Sequence, residues 1–214
     1  MSKLSIQEKY KKNFFKSSDM EDLYKNYPDP WRLQVDGHDR FKNILFKIDE
    51  LFRPNNPKAI LEVGCGEGIF TKMLARRYVG TQVFGFDISR TAVERAHKIQ
   101  EPNSDIFVCD LGKENIHLPR TVEVILLGDV LYYLENNKEV EHAIDEFDRI
   151  LAPNGCILLT EFLRTRKYSN KVAEKFKRIF DLREVVRYQE RPIDGAKNSQ
   201  LTYRLIVYKG RTDV

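Results

Sequence analysis

Apolar positions change their spacing along this chain. Over residues 1–52 they recur at helical intervals. Tyr10, Phe14, Phe15, Leu23, Tyr24 and Tyr27 supply apolar or aromatic surface, and Phe41, Ile44, Leu45, Ile48, Leu51 and Phe52 form a second face fit to pack on a sheet. Pro28-Asp-Pro-Trp interrupts, because each proline disfavours helix in the residue before it, and Pro54-Asn-Asn-Pro ends the second helix. From Ala59 the rhythm becomes strand and helix in alternation. Short apolar runs predict strands near 58–63, 81–87, 105–110, 122–128 and 156–162. Phe70, Met73, Leu74 and Tyr78 mark a helix after the first strand. The next helix starts near Ser89 or Thr91, where Thr91 and Glu94 have the spacing of a capping box. An acidic helix is expected near 137–151, then a Pro153-Asn-Gly turn. A basic helix near 169–180 leads to β-rich segments near 182–190 and 201–208, joined by loop. Alternation implies an α/β domain with a mainly parallel sheet covered on both faces. The last two strands, with no helix between them, imply an antiparallel hairpin at one edge.

The densest chemistry lies in Ile60-Leu-Glu-Val-Gly-Cys-Gly-Glu-Gly-Ile-Phe. It reads as a buried strand, a glycine-rich turn and the start of a helix. Gly64, Gly66 and Gly68 fall at alternate positions with Glu62 just before them, and Asp87 ends the second strand nineteen residues after Gly68. This is the layout of a nucleoside-type site at the carboxyl edge of a parallel sheet. Glycines admit a ligand close to the main chain, and an acid at the next strand's tip can accept both ribose hydroxyls. The dinucleotide fingerprint G-x-G-x-x-G is not met, since Ile69 takes the place of its third glycine. No Lys-Ser or Lys-Thr follows, so the turn is not a P-loop, and Glu62 and Glu67 speak against a phosphate. The pattern suits a ligand with an adenosine but no pyrophosphate; S-adenosyl-L-methionine, with its sulfonium and ammonium, meets those terms. A tight turn with no ligand is the plainer alternative, and Glu62 and Asp87 in register weigh against it.

Bulk properties narrow the class. The 214 residues suffice for one α/β domain and are short for two. With 42% hydrophobic and 32% charged residues, and no apolar run near the ~18 needed to span a bilayer, the chain reads as a globular protein with no membrane partner. Its first residues lack the apolar core of a signal peptide. Three cysteines, Cys65, Cys109 and Cys156, are odd in number and irregularly spaced, which predicts neither a metal site nor disulfides and points to the cytoplasm. Net charge is +4 but uneven: ten Lys/Arg against four Asp/Glu from Arg164 to Arg191, and six acids against one Lys from Glu135 to Asp148. The basic run reads as a solvated helix face, or as a rim that attracts an anionic substrate. Nucleic acid would call for aromatic residues interleaved on one basic surface, and Tyr168, Phe176, Phe180 and Tyr188 are equally well explained as core.

The E-x-G-x-G-x-G run resembles the first motif of class I S-adenosylmethionine-dependent methyltransferases. Four further segments resemble the same family in order: Phe84-Gly-Phe-Asp87-Ile-Ser, Cys109-Asp110-Leu111, Gly128-Asp129-Val-Leu-Tyr-Tyr-Leu, and Leu151-Ala-Pro-Asn-Gly-Cys-Ile-Leu. The resemblance implies a Rossmann-like sandwich with a seven-stranded, mostly parallel sheet of order 3-2-1-4-5-7-6, closed by a C-terminal antiparallel hairpin. It also implies that residues 1–52 form a helical lid and substrate region and 53–214 the cofactor-binding domain. A narrower resemblance, carried by Asp29-Pro-Trp-Arg-Leu, the glycine turn into Phe70-Thr71 and Val130-Leu-Tyr-Tyr-Leu, is to NodS-type methyltransferases, which N-methylate the free amine of a de-N-acetylated chitooligosaccharide. The chain departs from that type in having Gly128-Asp129 in place of Ala-Glu, and in its basic tail after Glu161.

The class resemblance assigns the residues their parts. Gly64, Cys65, Gly66 and Gly68 shape the turn; Glu62 fixes it through main-chain N–H groups and meets the cofactor's ammonium; Asp87 and Ile88 meet the ribose; Asp110 and Leu111 meet the adenine; and Gly128 offers a carbonyl to the ammonium. Trp31 covers the methionine end with Arg32 near its carboxylate, or is a core plug. One of Tyr132 and Tyr133 faces the transfer site, with Tyr132 the candidate, or both pack on the N-terminal helices. Asp129 is a base, a substrate anchor or an N-cap. Glu161 faces the same rim, or pairs with Arg164 or Arg166. His97 and His142 read as solvated helix positions and His117 as loop, which leaves His38 as the histidine to test as a base. The acceptor is a small polar molecule, sugar-based or anionic. The amine leads, a hydroxyl follows, and RNA modification or a non-catalytic cofactor-binding role stand behind them.

Overall fold

The computed structural model describes residues 16–36, 38–162, 174–177, 180–190 and 201–210. Seven strands form one sheet: β1 (Ala59–Val63), β2 (Gln82–Asp87), β3 (Ser104–Val108), β4 (Val122–Gly128), β5 (Leu151–Phe162), β6 (Phe180–Glu190) and β7 (Leu201–Gly210). Their order is β3-β2-β1-β4-β5-β7-β6, as the class resemblance implies. The pairs from β3 through β5 are parallel, and β7 runs antiparallel to both β5 and β6. The expected hairpin strands therefore insert β7 against β5 and leave β6 at the edge.

Alternate strand residues point to opposite faces, and both faces are buried. On one face Leu61, Val63, Phe84, Phe86, Ile125, Leu127, Ile157 and Leu159 share a core with Phe147 and Ile150 of α6 (Asn137–Ile150). On the other, Ile60, Val83, Val124, Leu126, Cys156 and Leu158 meet Phe41, Ile44 and Ile48 of α3 (His38–Phe52) and Phe70 and Leu74 of α4 (Ile69–Arg77). Phe41 and Phe70 stack with centroids 4.2 Å apart. This is why β1 and β4 are apolar on both faces apart from Glu62 and Glu123.

From residue 16 on the N-terminal pattern folds as its spacing predicts, while Tyr10, Phe14 and Phe15 lie outside the described residues. α1 (Met20–Asn26) and the short α2 (Leu33–Asp36) flank the Pro28-Asp-Pro interruption, and α3 ends at Phe52 before Pro54. α5 (Arg90–His97) begins at Ser89 rather than Thr91. The Ser89 hydroxyl accepts the Ala92 N–H at 3.2 Å, while the Thr91 side chain is taken by Glu21 of α1, so a tertiary partner displaces the expected Thr91–Glu94 box. The Pro153-Asn-Gly turn lies inside β5. Leu151 pairs with Val122, four residues loop out, and Cys156 resumes pairing at Val124, with Asn154 in the left-handed region at φ 64°. The expected basic helix falls largely outside the described residues. Where it is described, Phe176 is buried and Lys175 lies 3.8 Å from Glu141 of the acidic helix, so the two charge runs meet. Among the described residues no helix is long and apolar enough to cross a membrane.

Candidate active site

The glycine turn joins β1 to α4 and hangs from the end of β2. Cys65 donates its main-chain N–H to the Phe86 carbonyl at 2.9 Å, and Gly66 donates its N–H to Asp87 Oδ2 at 2.9 Å. Asp87 Oδ1 accepts the Ser89 N–H, also at 2.9 Å. Asp87 thus ties the turn to the sheet through the Gly66 amide, while Glu62 bonds the Thr71 main-chain N–H just after the turn, at the start of α4. Gly64, Gly66 and Gly68 all have left-handed φ, at 69°, 53° and 76°. At Gly64 a β-carbon would lie 2.4 Å from a Val130 methyl, and at Gly66 2.6 Å from the Tyr24 hydroxyl. These two positions exclude a side chain by conformation and by space at once.

Glu62 does a different job. Its side chain lies on the face packed by α4, where the Thr71 hydroxyl donates to it. Gly85, its neighbour across the β1–β2 register, makes room: a β-carbon there would stand 3.0 Å from the Thr71 oxygen. Burial pushes the Glu62 carboxyl up to about 8, the nearby Asp87 carboxylate adds to the rise, and Thr71 and the Arg40 charge only partly offset it. Burial likewise raises Asp87, to about 6, against the pull of the Ser89, Gly66 and Ile88 amides. Cys65 is buried and its thiol is pushed well above the ordinary range by the same loss of solvent, so it stays neutral. Two carboxyl groups thus stand at the tips of β1 and β2 with too little positive charge around them. A ligand that brings hydroxyl donors to one and a cation to the other would compensate both.

The N-terminal helices cover this edge. Glu21 of α1 accepts the Ser89 hydroxyl at 2.7 Å and the Thr91 hydroxyl at 2.8 Å. Burial alone would raise its carboxyl, but these bonds and the Thr91 amide outweigh it and hold it down at about 2. Tyr24 lies over Gly66 and accepts the Trp31 indole N–H at 3.1 Å. Trp31 in turn packs against Tyr133, centroids 5.7 Å apart, in a cluster with Met20, Leu23 and Ile88. Tyr133 therefore packs on the N-terminal helices. The Tyr132, His38 and Glu161 side chains lie outside the described residues. Trp31 plugs this small core, the plainer of its two readings, and its indole reaches Tyr24 over the glycine turn. Arg32 is exposed at φ 54°, in the turn that Asp29 closes.

Asp129 follows β4 in the left-handed region at φ 56° and is ion-paired with Arg40 of α3, both side chains nearly buried. It is not the N-cap of the turn after it, whose cap position is Val130. Gly128 ends β4 with its surface exposed. Asp110 lies beyond β3, where its carboxylate accepts the Gly112 N–H at 3.1 Å and pairs with Lys113 at 2.8 Å, and Leu111 is buried in the larger core. The Asp110 side chain is thus engaged in its own turn. Among the other histidines, exposed His117 is loop, while His97 and His142 bond the Ile106 and Glu114 carbonyls at 2.7 and 3.0 Å. Residue patterns did not flag Arg40 or Glu21, because their partners are 89 and 68 residues away; Tyr24 and Thr71 were visible only as helix positions.

A family model described as "Methyltransferase domain" matches residues 37–192. The chain belongs to this methyltransferase domain family. Relatives include nodulation protein S of Rhizobium tropici, 28% identical over 130 residues that cover 61% of this chain and 53% of the relative. Another is the mitochondrial ubiquinone biosynthesis O-methyltransferase of Schizosaccharomyces pombe, 31% identical over 125 residues that cover 55% of this chain and 44% of the relative. The chain thus spans about half the length of these two relatives. In fold it is similar to the N-methyltransferase NodS from Bradyrhizobium japonicum WM9 in complex with S-adenosyl-L-homocysteine, with TM-score 0.73, 21% identity, and coverage of 92% of this chain and 98% of that one. The family, sheet order and glycine turn agree.

Proposed function

We propose that the protein transfers a methyl group from S-adenosyl-L-methionine to a small polar acceptor, an amine on a sugar or a related metabolite. The observation that carries this reading is the buried Asp87 carboxylate, hung from the Gly66 N–H at the tip of β2 beside a turn too tight for side chains. Asp87 accepts the Gly66 and Ser89 N–H groups on its two oxygens with the Ile88 amide beside them, and of a carboxylate's roughly four lone-pair sites room remains for a ribose hydroxyl. Glu62, short of positive charge, suits the ammonium. Ile88, Trp31 and Tyr133 form the apolar cover, with Arg32 at its rim, and the main chain around Asp110 and Leu111 borders the adenine end.

When bound, the cofactor supplies a methyl already activated by a sulfonium, so the protein's work is placement and exclusion of water. Alignment of reacting groups can supply roughly 7–11 kcal/mol. The amine must arrive neutral, and Asp129, held by Arg40, offers an oriented carboxylate to one of its N–H groups. The N-terminal helices, latched by Glu21 to α5, close the edge as a lid formed within residues 1–52. NodS in name and fold favours the amine; the O-methyltransferase relative favours a hydroxyl acceptor as the second reading. Three buried free thiols suit a reducing cytoplasm.

The test is calorimetry with S-adenosyl-L-homocysteine on wild type and Asp87→Ala, followed by mass spectrometry of a glucosamine-terminated chitooligosaccharide and its fully N-acetylated form. Binding by wild type but not by the variant, with a mass gain of one methyl on the free amine alone, is expected. No binding by wild type overturns the cofactor assignment, and methylation of both probes overturns the amine.

A further inference from the structure

At the carboxyl edge of the sheet, Thr160 of β5 lies directly opposite Gly128 of β4. Both belong to the face that α3 packs, one step beyond Leu126 and Leu158. Thr160 is 1% exposed, and among the described residues its hydroxyl has no hydrogen-bond partner. Its carbonyl, by contrast, accepts the Asp129 N–H at 3.3 Å. A buried hydroxyl left without a partner costs on the order of 1–3 kcal/mol, so it is a feature the fold tolerates rather than one that holds it together.

The edge opens beside that buried hydroxyl, over Gly128. Gly128 is exposed, and a β-carbon built on it would meet, among the described residues, only the Thr160 oxygen, at 3.9 Å. The opening is bordered on one side by Thr160 and on the other by Asp129, the residue after Gly128, whose backbone is held at φ 56° with its carboxylate on Arg40. The edge thus presents a charged pair beside a neutral hydroxyl. On this face the preceding residue is Leu158 in β5 and Leu126 in β4, and valine would fill the position of Thr160 equally well on packing grounds alone.

We propose that the Thr160 hydroxyl binds the methyl acceptor, accepting a hydrogen bond from an N–H of its amine or from an adjacent sugar hydroxyl and so helping to select polar acceptors. This rests on the function proposed above. The placement divides labour along the edge: β1 and β2 hold the cofactor, Asp129 accepts one N–H of the acceptor's amine, and Thr160 accepts from a second donor of the acceptor. An apolar acceptor forgoes that bond and so binds less well than a polar one.

The experiment compares Thr160→Val, which keeps shape and removes the hydroxyl, with Thr160→Ser, which keeps the hydroxyl. S-adenosyl-L-homocysteine affinity, thermal midpoint and kinetics with the glucosamine-terminated chitooligosaccharide are read for each. Thr160→Val is expected to raise KM for the oligosaccharide roughly three- to tenfold, leave homocysteine-product affinity unchanged within about twofold, and raise the midpoint of the free protein by a few degrees. Thr160→Ser restores KM. If wild type methylates the amine and Thr160→Val does so with the same KM, or if Thr160→Val lowers the midpoint, Thr160 is a structural residue and the inference is overturned while the proposed function stands. If wild type does not methylate the amine, the proposed function falls and this inference with it.

Discussion

The hydroxyl of Tyr24 stands 2.6 Å from the point that a β-carbon on Gly66 would occupy. α1, near the start of the described chain, is thereby fitted to the main chain of the glycine turn. Gly66→Ala meets two penalties: a left-handed φ of 53° for a residue with a side chain, worth about 1 kcal/mol, and displacement of the Tyr24 ring. The variant is expected to lose about 1–3 kcal/mol of stability by urea denaturation and to bind S-adenosyl-L-homocysteine at least tenfold more weakly by calorimetry. Equal affinity would show that the turn does not approach the ligand.

The two carboxyl groups at the strand tips predict a pH dependence. Burial places Asp87 at about 6 and Glu62 at about 8 in the free protein, above their ordinary values near 4. The folded chain therefore holds protons that the unfolded chain has released, and stability falls as pH rises through each interval: from about 4 to 6 for Asp87, and from about 4 to 8 for Glu62. The slope is at most roughly 1.4 kcal/mol per pH unit per group. Thermal midpoints measured from pH 5 to 8 are expected to decline, and Glu62→Gln to flatten the upper half of the curve.

The same proton links to ligand binding. An ammonium beside Glu62 favours its ionised form, so S-adenosyl-L-homocysteine affinity is expected to rise as pH approaches 8, with proton release visible as a buffer-dependent heat. In Glu62→Gln both the rise and the buffer dependence vanish. A pH-independent affinity in wild type would place the ammonium elsewhere.

Arg40 and Asp129 form a nearly buried pair across 89 residues. Removing one partner strands the other, so Arg40→Leu is expected to cost about 3–5 kcal/mol. The double variant Arg40→Leu with Asp129→Asn recovers a good part of that loss, and a double-mutant cycle by urea denaturation gives a coupling above roughly 1 kcal/mol. Additive losses would mean that the charges are solvated independently.

Glu21 latches α1 to the start of α5 through the Ser89 and Thr91 hydroxyls. Glu21→Ala removes those bonds and is expected to speed amide exchange across residues 20–36 while exchange in β1 and β4 stays slow. Uniform change across both regions would argue that the helices and the sheet open as one unit.

The chain's sequence by itself determined the layers, the parallel sheet and the turn. Strands buried on both faces must be largely apolar, and left-handed positions without room for β-carbons must be glycine, so β1, β4 and Gly64, Gly66 and Gly68 were legible from local pattern. Asp87 was legible too, because its distance from the turn is set by one helix and one strand. Tertiary structure decided what pattern cannot carry. Ser89 caps α5 because Glu21 claims Thr91; Asp87 reaches the Gly66 amide because β2 carries it there, while Glu62 meets Thr71 of α4; and Asp129 is an ion-pair partner because α3 brings Arg40 above it. Apart from Glu62 and Thr71, these are contacts between residues far apart in the chain, each made by a single side chain. A single polar residue on a helix has no periodicity to betray it, so only the packing of helices on the sheet reveals which groups meet.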